Sequence, residues 1–265
     1  MAGDPNPPPF NLASLTWPEA AAVLGQDSVV LLPVGAIEAH GPHLPLDTDV
    51  IIASAIADRA ARRLSDRGQT VVVAPAVCYG VSYVGGCFPG TTPAPAEVVT
   101  GLVASVLTEL ARWGPQRLAV VNAHLEPAHV AAIREAVERA ALASGAAIAF
   151  PDKREERWAA TLSAEFRRGA RHAGAYETSL VMAARPEMVR RDLQAGLPPV
   201  WVDLPERLRA GARTFAEAGG TDGYFGDPAS ATAEEGERLF EALAEMVVTA
   251  VQELDARSSA TRAAR

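Results

Sequence analysis

The stretch of sequence that decides the fold is Ser28-Val-Val-Leu-Leu-Pro-Val34, which runs directly into Gly35-Ala-Ile-Glu-Ala-His-Gly-Pro-His-Leu-Pro-Leu-Asp-Thr-Asp49. Its first seven residues are almost all apolar, a pattern typical of a strand that is buried on both faces of a sheet. Similar apolar runs occupy residues 70–75, 117–121 and 146–150, and helical patterns separate them. Because strands that alternate with long helices form parallel β-α-β units, we predict an α/β fold in which helices cover both faces of a mostly parallel sheet.

The rest of the chain is organised around this predicted sheet. Helical patterns cover residues 50–64, 96–113 and 128–143, a glycine-rich loop covers 79–93, and a final long helix ends near residue 254. The sequence shows neither an internal repeat nor a clear linker, so we predict a single domain over residues 12–254. We expect the proline-rich residues 1–11 to form a flexible arm and the small, polar residues 255–265 to form a flexible tail.

The composition excludes several classes of protein. The chain has 265 residues and a formal net charge of -8, with no basic stripe that could replace phosphate counterions, so we expect no nucleic-acid partner. Its two cysteines, Cys78 and Cys87, cannot supply a four-thiolate zinc site or a disulfide framework. Neither a signal-peptide pattern nor an apolar run of about 18 residues is present, so we expect a cytoplasmic protein without a membrane partner.

Two pairs of acid and imidazole side chains follow predicted strands. Glu38 and His40 come just after the first strand, and His124 and Glu126 come just after the third. Residues i and i+2 of an extended backbone point to the same side, so each segment can aim one carboxylate and one imidazole at the same place. In open α/β sheets, ligands bind at the carboxyl ends of the strands, which is where both pairs lie.

The chemistry of these side chains indicates a metal site. Five candidate ligands are present: Glu38, His40, Asp49, His124 and Glu126. Oxygen and nitrogen ligands without sulfur suit Zn(II), Mn(II) or Fe(II). Five ligands exceed the needs of one tetrahedral zinc ion, and they suit two divalent ions that share a carboxylate.

Simpler interpretations exist for each motif. One isolated Glu-x-His pair is usually a solvated loop, although chance explains two such pairs at two strand ends poorly. Asp47 fits a turn former better than a ligand, and Asp49 could cap the next helix. His129 lies inside a helical pattern and fits a surface or packing role. Neither a nucleotide P-loop nor a G-x-S-x-G nucleophile motif occurs.

At these residues the sequence resembles the creatininase (creatinine amidohydrolase) family. The resemblance is carried, in family order, by residues 32–50, Phe88-Pro-Gly-Thr-Thr92, Asn122-Ala-His-Leu-Glu126, His172-Ala-Gly-Ala-Tyr-Glu-Thr-Ser179 and Gly226-Asp-Pro-Ala-Ser-Ala231. It extends from about Leu15 to Leu254. It implies a three-layer α/β/α fold, a dinuclear centre with Zn(II), Mn(II) or both, and a homo-oligomer that is often a hexamer.

The resemblance also implies roles for individual residues. Glu38, Asp49 and His124 would hold one ion, and His40, Asp49 and Glu126 would hold the other, with Asp49 bridging the two. His172 matches a histidine that assists proton transfer, and Glu177 matches a recurrent acidic position beside it. The implied catalytic residues are therefore His172, Glu126 and Glu177.

Two of three departures from the family disfavour creatinine as the substrate. Arg168 stands where creatininase has a tryptophan that packs on the substrate. Gly86 and Cys87 precede Phe88, where many relatives carry a glutamate and a histidine. Many relatives also read Asn-Gly-His-Gly-Gly-Asn at residues 122–127, whereas Glu126 is similar to creatininase itself. These changes favour a different, anionic amide.

The predicted function is hydrolysis of a C–N bond in a cyclic or linear small-molecule amide, by water that two metal ions activate. Alternatives within the enzymes are a deformylase-type hydrolase of nucleotide-pathway intermediates and a peptidase that matures a peptide-derived redox cofactor. A hydrolase of C–C bonds or lactones is a further alternative. A non-catalytic metal-binding scaffold is the alternative from another class.

Overall fold

The computed structural model of the chain describes residues 10–263, with side chains over residues 10–256. Its centre is a parallel five-stranded sheet in the order β1-β3-β2-β4-β5. The strands are β1 (Phe10–Asn11), β2 (Val29–Val34), β3 (Val71–Val73), β4 (Arg117–Asn122) and β5 (Ala147–Ala149). The prediction of a parallel α/β sheet is confirmed.

Helices connect and cover these strands. The long helices are α2 (Thr48–Asp66), α3 (Ala96–Arg112), α4 (Pro127–Ser144), α7 (Ala175–Ala184) and α11 (Ala233–Ala263). The short helices are α1 (Trp17–Val23), α5 (Glu156–Ala159), α6 (Ala164–Arg167), α8 (Arg191–Gln194), α9 (Leu204–Arg209) and α10 (Phe215–Ala218). Single 3₁₀ turns occur at Leu12–Ser14, Pro186–Met188 and Pro228–Ser230.

Alternate residues of β2 build the cores on the two faces of the sheet. Val29 and Leu31 pack in a core with α2, α7 and α11, whereas Val30 and Leu32 pack in a core with α3 and α4. All four side chains are fully buried. A strand covered on both faces cannot alternate apolar and polar residues, which explains the continuous apolar run in the sequence. The three layers are therefore helices, sheet and helices, as predicted.

The ends of several elements differ from the sequence-based predictions. The last helix continues to Ala263 rather than ending near residue 254, so it overlaps most of the predicted tail. The predicted N-terminal arm ends in β1, where Phe10 pairs with Val72 of β3. Residues 1–9 of that arm and 264–265 of that tail lie outside the described residues. Among the helices the structure describes, none is long and apolar enough to cross a membrane.

Candidate metal centre

The carboxyl ends of β2 and β4 lie side by side because these strands are neighbours in the sheet. Their register pairs Val34 with Asn122, so the segments that follow the two strands leave the sheet together. The predicted ligands meet at this edge: Glu38, His40, Asp49 and His124, all buried, and the half-buried Glu126. Asp49 reaches the same edge from the first turn of α2. By contrast, Asp47 precedes α2 and lines a separate surface hollow.

The backbone holds His124 in one orientation. Its Nε2 lies 2.8 Å from the carbonyl oxygen of Val81, and because a carbonyl only accepts, Nε2 carries the hydrogen. Nδ1 therefore faces the carboxylates of Glu38 and Asp49, with 3.0 Å to Oε2 of the first and 3.1 Å to Oδ2 of the second. A nitrogen lone pair opposite two carboxylate oxygens requires a positive charge between them. A backbone hydrogen bond that orients an imidazole in this way is typical of metal-binding histidines.

His40 is oriented by the same kind of contact. Its Nδ1 lies 2.9 Å from the carbonyl oxygen of Glu38, so Nδ1 carries the hydrogen and Nε2 points into the site. Nε2 is 3.6 Å from Asp49 Oδ1 and 3.6 Å from Glu177 Oε2. Both imidazoles thus direct a free nitrogen at Asp49, one at each of its carboxylate oxygens.

Several of these atoms have no hydrogen-bond partner within the described part of the chain: both carboxylate oxygens of Glu38, Nε2 of His40 and Oδ2 of Asp49. Burial disfavours a charged imidazole, but the nearby carboxylates outweigh it and raise the pKa of His40 to about 9 and that of His124 well above its usual range. The cluster therefore attracts positive charge, which either protons or a cation can supply. Its buried oxygen and nitrogen donors fit divalent ions such as Zn(II) or Mn(II).

Three groups of side chains bring ligand atoms within 4.8 Å of one another: Glu38, His124 and Glu126; His40, Asp49 and Glu177; and Glu38, His40 and His172. The first two groups differ from the partition that the resemblance implied. Glu126 lies with Glu38 rather than with His40, because its Oε2 accepts a hydrogen bond of 3.0 Å from the Val84 amide. Glu177, presented by the first turn of α7, takes the place beside His40.

His172 lies at the side of this cluster, between two rings. Its ring centroid is 4.4 Å from that of His40 and 4.1 Å from that of Phe215, on which it stacks. Nε2 lies 2.9 Å from the carbonyl oxygen of Ala39, so Nε2 carries the hydrogen and Nδ1 keeps a free lone pair. Burial and the charge of His40 lower the pKa of His172 to about 4. These effects favour the neutral imidazole, whose Nδ1 faces away from the Ala39 hydrogen bond and can accept one of its own.

A tight turn joins His172 to Glu177. Oε2 of Glu177 accepts a hydrogen bond of 2.7 Å from the amide of Ala173, whose φ of 51° is left-handed. That conformation costs an L-residue about 1–2 kcal/mol, and the hydrogen bond helps to hold it. Burial raises the pKa of Glu177 to about 7, although the charge of His40 opposes the shift.

His129 belongs to the support of the site, which its helical pattern did not reveal. It is fully buried, and its ring packs edge-on against that of His124 with centroids 4.8 Å apart. Its Nδ1 accepts the amide hydrogen of Val81 at 3.2 Å, and its Nε2 donates to Asn122 Oδ1 at 3.1 Å. His129 therefore fixes Val81 through its amide, and the carbonyl of Val81 in turn orients the proposed metal ligand His124. Sequence analysis could have found it only through its i+5 spacing from His124.

The arginines near the site also differ from the sequence-based expectation. Arg168, predicted to stand at the substrate-packing position, lines a separate hollow with Trp201 and Asp203. The cavity that opens onto the ligand cluster is lined instead by Arg154 and Arg171. The structure thus places two other guanidinium groups where the sequence analysis placed Arg168.

Comparison with known proteins identifies the family of this chain. A family model described as Creatininase: Creatinine amidohydrolase matches residues 13–251. The chain belongs to the creatininase family. The predictions of family and of a hydrolase are therefore confirmed.

Individual relatives extend the comparison. A mycofactocin precursor peptide peptidase of Mycobacterium ulcerans is 37% identical over 238 residues, which cover 88% of this chain and 82% of the relative. A creatinine amidohydrolase of Pseudomonas putida is 30% identical over 260 residues, covering 91% and 96% of the two chains. A crystal structure of creatinine amidohydrolase superposes with a TM-score of 0.73 at 28% identity, over 93% of this chain and 98% of that one. Other similar creatininase structures include a manganese form and a Zn–Zn form.

Proposed function

We propose that this creatininase-family hydrolase cleaves a C–N bond in an amide with the help of two divalent ions, Zn(II), Mn(II) or one of each. The observation that carries the proposal is the pair of imidazoles that direct free nitrogens at the two carboxylate oxygens of Asp49, at 3.1 Å from Oδ2 and 3.6 Å from Oδ1. Glu38, His124 and Glu126 would hold one ion. His40 and Glu177 would hold the other, and Asp49 would be shared between them. Fe(II) fits the same donors.

In the proposed reaction, the ions and the side chains of the protein have different roles. Ions held here would polarise the substrate carbonyl and lower the pKa of water. The Ala39 carbonyl holds Nε2 of His172, so Nδ1 is free to take up the proton that the attacking water loses. The imidazole then returns this proton to the leaving nitrogen. Phe215 stacks on its ring and the carbonyl of Ala39 binds its Nε2, so both keep Nδ1 directed at the site.

We infer that the amide is linear and that creatinine is a poor substrate. The relative with 37% identity is a peptide peptidase, whereas the creatinine amidohydrolase is 30% identical. Creatinine offers no anionic group to the two guanidinium groups of Arg154 and Arg171 that line the cavity. Cleavage of a peptide or an acylated amino acid is therefore favoured over ring opening.

We also propose a homo-oligomer, with the hexamer implied by the resemblance as the expected size. Several large aromatic side chains are more than half exposed: Trp17, Trp113, Trp201, Tyr79 and Tyr83. Tyrosine and tryptophan are enriched in protein–protein interfaces. The molar mass measured by light scattering tests this proposal, and a monomer at micromolar concentration would overturn it.

A substrate screen tests the proposed reaction. Chelator-treated protein is reconstituted with Mn(II) or Zn(II) and assayed against short peptides, acylated amino acids, formamides and creatinine. We expect hydrolysis of the linear amides that is lost on chelation and restored by metal. Asp49→Asn should abolish it, whereas the matched variant Asp47→Asn should not, because Asp47 lies outside the cavity. Metal binding without hydrolysis of any amide would instead favour the scaffold alternative.

A further inference from the structure

The cavity beside the ligand cluster is lined by both charged and apolar side chains. Its lining includes Arg154 and Arg171, together with the apolar residues Leu125, Pro127, Leu204, Leu208 and Phe215. The space for a ligand is about 130 Å³, several times the roughly 30 Å³ that one water molecule occupies in the liquid. This volume suits a small apolar side chain with a polar group beside it.

Arg154 is already paired within the protein. Its Nε lies 3.0 Å from Asp152 Oδ1 and its Nη2 lies 2.8 Å from Asp152 Oδ2, a two-point contact. Asp152 also accepts a hydrogen bond of 2.7 Å from Arg134. Asp152 therefore occupies two hydrogen-bond donors of Arg154 and fixes its guanidinium group in place.

Arg171 is held equally firmly but is not paired. Its Nε donates to the carbonyl oxygen of Phe166 at 2.8 Å, and its guanidinium carbon lies 4.6 Å from the centroid of the Phe166 ring. Within the described residues, no carboxylate oxygen lies within 4.0 Å of this guanidinium group, and neither Nη atom has a hydrogen-bond partner. The side chain is half-buried. Burial lowers the pKa of Arg171 and the charge of Arg154 adds to that shift, although the more distant carboxylates of Asp203 and Asp152 oppose it.

Of the two guanidinium groups that line the cavity, Arg171 is the one without a hydrogen-bonded carboxylate. The carboxylates of the ligand cluster are those of Glu38, Asp49, Glu126 and Glu177, and two divalent ions would balance them. Arg154 is engaged by Asp152. A fixed guanidinium group with two free Nη atoms matches the geometry of a carboxylate, which it can bind through two parallel hydrogen bonds.

We propose that Arg171 binds a carboxylate of the substrate, so that the hydrolysed amide belongs to an acidic compound whose apolar side chain fills the rest of the cavity. A carboxyl-terminal peptide bond or an N-acylated amino acid has this chemistry. Water adds its hydroxyl to the amide carbonyl carbon and its hydrogen to the leaving nitrogen, while the recognised carboxylate is unchanged. The hydrolysis step in this proposal rests on the proposed function, whereas the binding of a carboxylate by Arg171 does not.

The test compares each acid with its neutral amide. Metal-loaded protein is assayed with N-acetyl-alanyl-leucine and N-acetyl-alanyl-leucinamide, and with N-acetyl-leucine and its amide. We expect the acids to be favoured, and Arg171→Met to remove this preference by raising KM for the acids roughly 10- to 100-fold. Arg171→Lys should keep part of it, because an ammonium group retains the charge but not the two-point geometry. The control Arg167→Met changes an exposed arginine outside the cavity and should keep the full preference.

Binding measured by calorimetry separates this proposal from the proposed reaction. If no compound is hydrolysed but the acids bind and Arg171→Met abolishes binding, the carboxylate site stands and the proposed function fails. If acid and amide are hydrolysed equally well, or if Arg171→Met weakens both by the same factor, the proposal is overturned. Absence of any acid binding to the folded, metal-loaded wild type also overturns it. Thermal unfolding confirms that each variant is folded.

Discussion

Replacement of His129 by alanine tests whether a residue outside the ligand set positions a ligand. The substitution removes the acceptor of the Val81 amide and the donor to Asn122 Oδ1. Asn122 Oδ1 still accepts the His124 amide at 3.2 Å, so only the Val81 amide is left without a partner. A buried unsatisfied amide costs about 1–3 kcal/mol, and loss of the imidazole volume adds to that cost. We therefore expect metal-free His129→Ala to lose about 2–4 kcal/mol of stability.

The effect on metal binding follows from the same contacts. The Val81 carbonyl orients His124, and loss of such a supporting contact usually weakens metal binding about 10- to 100-fold. At a metal concentration of about 100 times the wild-type Kd, binding stabilises the wild type by about 2.7 kcal/mol. The variant should then gain only about 0.4–1.4 kcal/mol from the same metal concentration.

Two measurements check these values. Competition with a chromophoric chelator gives the metal affinity, and thermal unfolding with and without metal gives the linked stabilisation. His43→Ala is the matched control, because His43 is also fully buried but its Nε2 contacts Thr178 Oγ1 rather than Val81 or Asn122. It should lose stability while its metal affinity stays within about threefold of the wild type. A folded His129→Ala protein that binds metal as tightly as the wild type would refute the positioning role.

Three further predictions concern the metal ions, the proton shuttle and the acid stability. Elemental analysis should find close to two divalent ions per chain; Asp49→Ala should weaken both sites, whereas Glu38→Ala should mainly empty one. His172→Ala should keep its metal but lose roughly 10²–10⁴-fold in kcat, and near-normal turnover would exclude the shuttle. Although burial opposes it, hydrogen bonds from Arg154 and Arg134 lower the pKa of Asp152 from 3.8 to about 2, so its ionised form stabilises the fold by about 2 kcal/mol above pH 4. Asp152→Asn should lose this stabilisation at pH 7. The difference in unfolding free energy between variant and wild type should then shrink as pH falls from about 4 to 2. Urea unfolding that shows the same difference at every pH would contradict this dependence on ionised Asp152.

The sequence by itself determined strands β2 to β5 of the sheet and the residue types at its edge, but not the short strand β1. Apolar runs such as residues 28–34 and 117–121 identify strands because burial on both faces leaves no polar positions along them. The i, i+2 spacing of Glu38 with His40, and of His124 with Glu126, follows from extended backbone geometry. These features are local, so the periodicity and spacing of neighbouring residues are sufficient to predict them.

Only the tertiary structure decided which distant residues meet at that edge. The strand order makes β2 and β4 neighbours and so brings the two ligand pairs together. Packing of α7 places Glu177 beside His40, although 136 residues lie between them in the sequence. Arg171 lines the cavity whereas Arg168 lines a separate hollow, although the two residues are close in sequence. Contacts across the chain depend on how whole helices and strands pack, and no local pattern of residues encodes that packing.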